Sequence, residues 1–340
     1  MIFNKGNNGA LELKALLGFI YKSNKFENLI SFIGFAERDI RKVIGDAVFD
    51  FALAHYQSAH YLLETPDEDH PEYPLLDQLV SSIQLPVALH AYRRYAPHND
   101  LSHSDSGRQI IVTAEEKPAF EWMIDKSDKS LLDIAHEATD LLLEFLDKNI
   151  DYTLVDGESP LIPWGTSAAY LATKELFLTS SQFNDEFFID GSRRVFLAIV
   201  PSLRKVQQND ILSCLGKEKY DEISEQIIDA DVTAENKTLL ALIRPALTFI
   251  ATSHAVITLS VEVLPTGIFS NFVSGVINGK NAASMPDRVA LSSRLLDYGK
   301  AHLSKLQEKI TRATTEAAGE IYDVTDPTDR IDPSTKYVRI

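Results

Sequence analysis

The sequence predicts a mainly α protein with short β excursions, built as a tandem duplication of one helix-bundle unit. Runs with apolar residues at helical spacing fill most of the 340 residues. Hydrophobic residues make up 45% and charged residues 24%, the balance of a chain that buries a real core. And one stretch recurs: Leu76 to Gly107 is answered by Leu239 to Gly267. Each copy holds a proline inside an apolar helix (Pro86, Pro245), a second proline expected to end it (Pro97, Pro265), and then a glycine. An internal proline removes a ladder donor and clashes with the preceding turn, so both helices are expected to kink at matching places.

Flanking residues extend the parallel. Asp39-Ile40 and the segment around Gly45 resemble Asp210-Ile211 and the segment around Gly216, an offset of 216 − 45 = 171. At the internal prolines the offset is 245 − 86 = 159, because the first copy has a longer connection from Leu62 to Tyr73. Asp128 and Asp287, at the same 159 spacing, each open an amphipathic helix, marked by Leu143, Leu146, Ile150 and by Leu303, Leu306, Ile310. The division expected is a first unit at 1–150, a second at 151–322 and an extended arm at 323–340; the length also allows about two domains.

In order, Ile2-Phe3 reads as the start of a short strand, and Leu11 to Tyr21 as a helix or a helix then a strand. Helices follow at Leu29 to Ile44, stopped by Gly45, and at Asp46 to Tyr61. An acidic loop (Glu64 to Tyr73) leads to the long proline-bearing helix, a polar loop and a β-rich run from Arg108 to Thr113. The helix from Ser130 to Asn149 closes the first unit, and Asp151 to Trp164 is a linker. The second half reads as a short helix within Thr166 to Leu178, capped by Thr166 or Ser167, then an extended region marked by Phe177, Phe183, Phe187 and Phe188. Arg193 to Leu215 is helical, and the acidic Ser224 to Asp231 runs into a loop around Asn236. After the second long helix, Ile268 to Ile277 suits a hairpin closed near Asn278-Gly279, and a last helix spans Asp287 to about Ala318.

The net charge of −16 argues against a surface that wraps nucleic acid nonspecifically. Ala246 to Leu264 is the most apolar run, yet His254 and Glu262 within it favour a buried core helix over a membrane span. The first residues lack the pattern of a secretory signal, and Cys214 reads as a small buried hydrophobe. His98, Asp100, His103 and Asp105 are metal-ligating types, but their spacing fits no metal signature; they read as a polar, helix-terminating loop with no metal expected. Arg93 and Arg94, between Tyr92 and Tyr95, are candidate partner contacts for a phosphate or carboxylate, or else pair with the abundant acids of this chain. No nucleotide-binding, zinc-protease or nucleophile-elbow motif is present, so no catalytic, cofactor or metal residue is assigned.

Three segments carry a resemblance: AYRRYAPHNDLSHSDSGR (Ala91 to Arg108), FEWMIDKSD (Phe120 to Asp128) and LGKEKYD (Leu215 to Asp221). They resemble an uncharacterised structural-protein family of Bacteroidetes-type phages and prophages, and each half is similar in layout to head-to-tail connector (adaptor) proteins. The resemblance implies a virion protein of the neck and not an enzyme. It implies a ring of identical subunits between portal and tail proteins, assembled in the host cytoplasm, through which genome DNA passes without specific binding and with no membrane involved. The tail residues Tyr337, Val338, Arg339 and Ile340 are the expected partner contacts, suited to adding a strand to a neighbour. The duplication departs from such adaptors, which are usually single units. The alternative reading is a cytosolic helical enzyme or small-molecule-binding protein that uses the loop His98 to Asp105.

Overall fold

The computed structural model describes residues 1–18, 25–62, 70–99, 101–104, 107–110, 120–150, 161–229, 231–259, 261–264, 267–270 and 284–317. The fold is mainly α. The first half contains α1 (Gly9–Leu17), α2 (Phe26–Ile44), α3 (Asp46–Gln57), α4 (Tyr73–Asn99), the hairpin β1 (Leu101–Ser104) and β2 (Gly107–Ile110), and α5 (Glu121–Lys148). Three short helices follow: α6 (Ile162–Gly165), α7 (Ala168–Lys174) and α8 (Ser180–Glu186). Then the order repeats: α9 (Arg193–Val206), a π turn (Gln207–Ile211), α10 (Leu212–Leu215), α11 (Lys217–Ile228), α12 (Ala234–Thr258), the hairpin β3 (Val261–Leu264) and β4 (Gly267–Ser270), and α13 (Met285–Ala317).

Burial gives the register of this repeat. Leu79, Ile83, Val87, Ala91 and Tyr95 form the buried stripe of α4; Leu239, Ile243, Leu247, Ala251 and Ala255, each 160 residues on (239 − 79), form that of α12. The hairpins keep the same spacing, with Ser104 paired to Gly107 and Leu264 paired to Gly267. On this register Pro86 meets Ala246, and the two internal prolines fall one residue apart. The 159 offset read from the prolines is therefore corrected to 160, because packing follows the apolar stripe and not the breaker. Both helices run continuously through their prolines.

α2 and α9 show where the spacing changes by one residue. Phe26, Leu29, Ile33 and Ala36 are buried, as are Phe196, Ile199, Leu203 and Val206, an offset of 196 − 26 = 170. From the last residue of the π turn the offset is 171: Ile40 with Ile211 and Ile44 with Leu215, and in the next helix Ala52 with Ile223. A π turn absorbs one extra residue without ending a helix, so the apolar stripe resumes in phase. Each stripe then stops at a glycine with positive φ, Gly45 at 88° and Gly216 at 75°, a conformation an L side chain resists. The glycine N–H groups close the helices onto the Arg41 and Leu212 carbonyls (2.8 and 3.0 Å).

Among the described residues, the buried side chains form two hydrophobic cores. One holds residues from Ile2 to Trp164; the other runs from Ala172 to Leu306. Leu161 and Trp164 thus pack with the first unit, although the sequence reading assigned them to the second. α12 is the one helix among the described residues long and apolar enough to cross a membrane, and 61% of its most apolar window is buried within the protein. At its crossing with α13, a Cβ on Gly299 would lie 2.4 Å from Ile250 Cγ1.

Several local expectations are corrected. Ile2-Phe3 is buried but forms no strand, and α1 is a helix that ends at Leu17. α4 runs two residues past Pro97, and α12 ends seven residues before Pro265, so neither proline is the stop. Leu101–Ser104 is a strand where a loop was expected, and β4 pairs with β3, placing the second hairpin ahead of Asn278-Gly279. Phe183 lies in α8, which opens with a capping box between Thr179 and Gln182. Asn236 lies inside α12, in the first turn after its Thr233 cap. Asn278-Gly279 and the arm 323–340 lie outside the described residues.

Candidate functional site

Both units hold a short buried segment in a socket of polar side chains. In the first unit, Ile2 N–H donates to Glu37 Oε1 (2.6 Å) and its carbonyl accepts from Gln84 Nε2 (2.7 Å). In the second, Phe177 N–H donates to Gln207 Oε1 (2.9 Å) and its carbonyl accepts from Arg244 Nε (3.2 Å). Glu37 and Gln207 stand at the 170 offset, Gln84 and Arg244 at the 160 offset. Gln207, first residue of the π turn, also donates from Nε2 to the Glu175 carbonyl (2.7 Å) and contacts Tyr220 OH at 2.9 Å. A residue outside helix and sheet has no ladder for its peptide groups, and a buried unpaired group costs more than a typical hydrogen bond gains.

The units meet where the N-terminus of α9 abuts the side of α5. Asp140 Oδ2 accepts from Ser192 Oγ (2.7 Å) and Oδ1 from Arg194 N–H (2.6 Å), placing a carboxylate on orphan donors at a positive helix end. One turn pair along, Asp147 accepts from Arg193 Nε (3.0 Å) and Trp164 Nε1 (3.1 Å). Burial raises the Asp147 carboxyl pKa, outweighing the lowering by Arg193 and Trp164. A cleft of about 370 Å³ opens beside it, lined by Tyr170, Lys174 and Phe196 among others.

Beneath this junction, α4 and α5 cross at His90 and Thr139. Thr139 donates its hydroxyl to the Ala135 carbonyl (2.9 Å), so its oxygen faces His90 Nε2 at 3.3 Å as an acceptor. Burial first, then the charges of Arg93, His136 and Arg94, push the His90 pKa down to about 4. His136, 6.0 Å away ring to ring, is lowered by burial and by Arg194 and Arg93. Both imidazoles are neutral near pH 7. The equivalent crossing in the second unit is Ile250 and Gly299, with no titratable group at either position.

Of the residues singled out from sequence, Arg94 pairs with Asp39 of α2. Burial would raise the Asp39 pKa, but hydrogen bonds from Arg94 and Lys42 hold it below the usual value. The Arg93 Nε is buried without an acceptor among the described residues, and its pKa falls through burial and the neighbouring Arg94, against the pull of Asp128. His98 is exposed with its ring 5.4 Å from Phe32, while Asp100, Asp105 and the side chain of His103 lie outside the described residues. So do Tyr337, Val338, Arg339 and Ile340. Ser167 caps α7, accepting from Tyr170 N–H at 3.1 Å. The sockets and Asp140 were missed. The signal available for the sockets was a polar residue inside each long apolar helix, Gln84 and Arg244, at equal spacing.

A family model matches residues 40–159 and 211–313, more than half of the chain; it describes a family of unknown function (DUF6712). The chain belongs to this family. The two DUF6712 segments open at Ile40 and Ile211, which hold equivalent places in the repeat. No curated protein and no solved structure matches the chain significantly.

Proposed function

We propose that this DUF6712 chain is a phage virion structural protein, a head-to-tail connector of the neck that forms a homo-oligomeric ring between portal and tail proteins. The observation that carries the reading is the way its two like units are joined. The side of α5 in one unit receives the N-terminus of α9 in the other, so unlike faces meet. Contacts of this heterologous kind close into rings when the rotation per unit is right.

Three further features support it. The motifs at Ala91 to Arg108, Phe120 to Asp128 and Leu215 to Asp221 carry the family resemblance. Trp122 and Met123 at the start of α5, and Met285 and Val289 at the start of α13, leave apolar side chains exposed close after each hairpin in sequence. A subunit carrying −16 gives a ring of like charge, whose lumen passes DNA without holding it. In this reading the segment 323–340 engages a neighbouring subunit or a tail protein.

The test is genetic and biochemical. The protein is expected in purified virions, and deletion of 323–340 is expected to block head-to-tail joining. Its absence from virions would rule out the structural role; normal joining by the deletion mutant would remove the arm from it.

A further inference from the structure

We infer that the groove between the C-terminal end of α2 and the outer face of α9 is a binding site for a small amphipathic monoanion, an aliphatic carboxylate. It encloses about 400 Å³ and is rimmed by Lys42, Arg194 and Arg204 over a floor that includes Leu197, Ala198 and Pro201. That volume lies in the range of small-molecule pockets, and its place between two structural units is a common one for them. None of its lining residues is acidic, in a chain whose formal charge is −16. The Nε groups of Arg194 and Arg204 are buried without an acceptor among the described residues. Arg204 also meets Glu175 at 3.1 Å and Lys42 meets Asp39 at 3.3 Å, both acids outside the groove lining.

The repeat supplies an internal control. At the 170 offset, the face of α2 equivalent to Leu197, Ala198, Pro201 and Arg204 is Glu27, Asn28, Ser31 and Gly34. Inward positions stayed apolar in both helices, as Leu29 with Ile199 and Ile33 with Leu203 show. Only on α9 is the outward face an apolar floor with a cationic edge. An aliphatic chain fits the floor through apolar burial, and one carboxylate answers guanidinium groups that have donor capacity to give.

Sodium decanoate, kept below its micelle concentration, is the probe for calorimetric titration of the full chain. Decyltrimethylammonium supplies the same chain with the opposite charge, and inorganic phosphate supplies an anion without the chain. Decanoate is expected to bind at one site per chain, with both controls weaker by about tenfold or more, the scale of one lost charge-assisted contact. The double variant R194M/R204M is expected to lose decanoate affinity by a similar factor. Ala198→Trp, which fills the floor without changing charge, is expected to abolish binding while circular dichroism and the melting temperature hold. Equal binding of decanoate and decyltrimethylammonium, equal binding of phosphate, or wild-type affinity in a folded Ala198→Trp protein would each overturn the assignment.

Discussion

Ile2 and Phe177 occupy the same socket in the two halves of the chain. Each is fully enclosed, at 0% and 1% exposure, and each has its N–H taken by one helix and its carbonyl by the next long helix. The residues that do this are chemically different: Glu37 and Gln84 in one unit, Gln207 and Arg244 in the other. The common requirement is an acceptor and a donor at fixed places, which Glu or Gln meets as acceptor and Gln or Arg as donor. We propose that the shared hydrogen-bond pattern, glycine stops and hairpins descend from one duplicated unit.

Removing one socket group strands a buried peptide group. Gln84→Leu leaves the Ile2 carbonyl unpaired and is expected to cost about 1–3 kcal/mol in urea denaturation. Glu37→Gln, which installs the amide that serves Phe177, is expected to cost clearly less than Glu37→Ala. Equal losses for those two would show that the acceptor is not what matters.

At the α12–α13 crossing, Gly299→Ala puts a methyl 2.4 Å from Ile250 Cγ1 and 3.0 Å from the Ile250 backbone nitrogen. Alanine favours helix by about 1 kcal/mol over glycine, but overpacking costs about 1–3 kcal/mol. The variant is expected to be net destabilised in a thermal melt, with partial recovery when Ile250→Ala is added. A higher melting temperature in the single variant would mean that the helices separate freely.

Acid should weaken the first unit through His90. Its imidazole titrates near 6.5 when unfolded and at about 4 when folded, so between those values the unfolded chain binds the proton more readily. Stability from this group is therefore complete above pH 6.5 and falls as pH drops toward 4, by up to roughly 3 kcal/mol. The lowered pKa of His136 acts in the same direction. His90→Ile, the residue at the equivalent place in α12, is expected to flatten the stability profile between pH 4 and 6.5. An unchanged slope, measured by urea titration across that range, would place the titration elsewhere.

Asp140 ties the units together. Asp140→Ala removes the acceptor for Ser192 Oγ and Arg194 N–H, and a lost helix-end acceptor costs about 1–2 kcal/mol. Amide exchange at the start of α9 is expected to accelerate, while amides in the middle of α2 keep their protection. Loss of protection in both would mean one cooperative block instead of two cores.

By itself the sequence determined the helical class and the glycine stop at Gly45, because these rest on local periodicity and on a residue with special backbone freedom. Helix limits near Gly45 and Gly216 followed directly. So did the span of α13. The capping box of Thr179 and Gln182 was also legible there, though spaced phenylalanines drew the reading toward an extended segment. Tertiary packing alone decided the register: prolines one residue out of step are equally compatible with a period of 3.6, and only burial shows that the apolar stripes align at 160. It also decided how α9 takes in an extra residue, since a π turn keeps the stripe in phase with no mark in composition. The sockets and the Asp140 junction needed it most. Their partners lie far apart in the chain, Ile2 and Gln84 by 82 residues and Asp140 and Arg194 by 54, and a polar side chain within an apolar run does not say which distant peptide group it will satisfy.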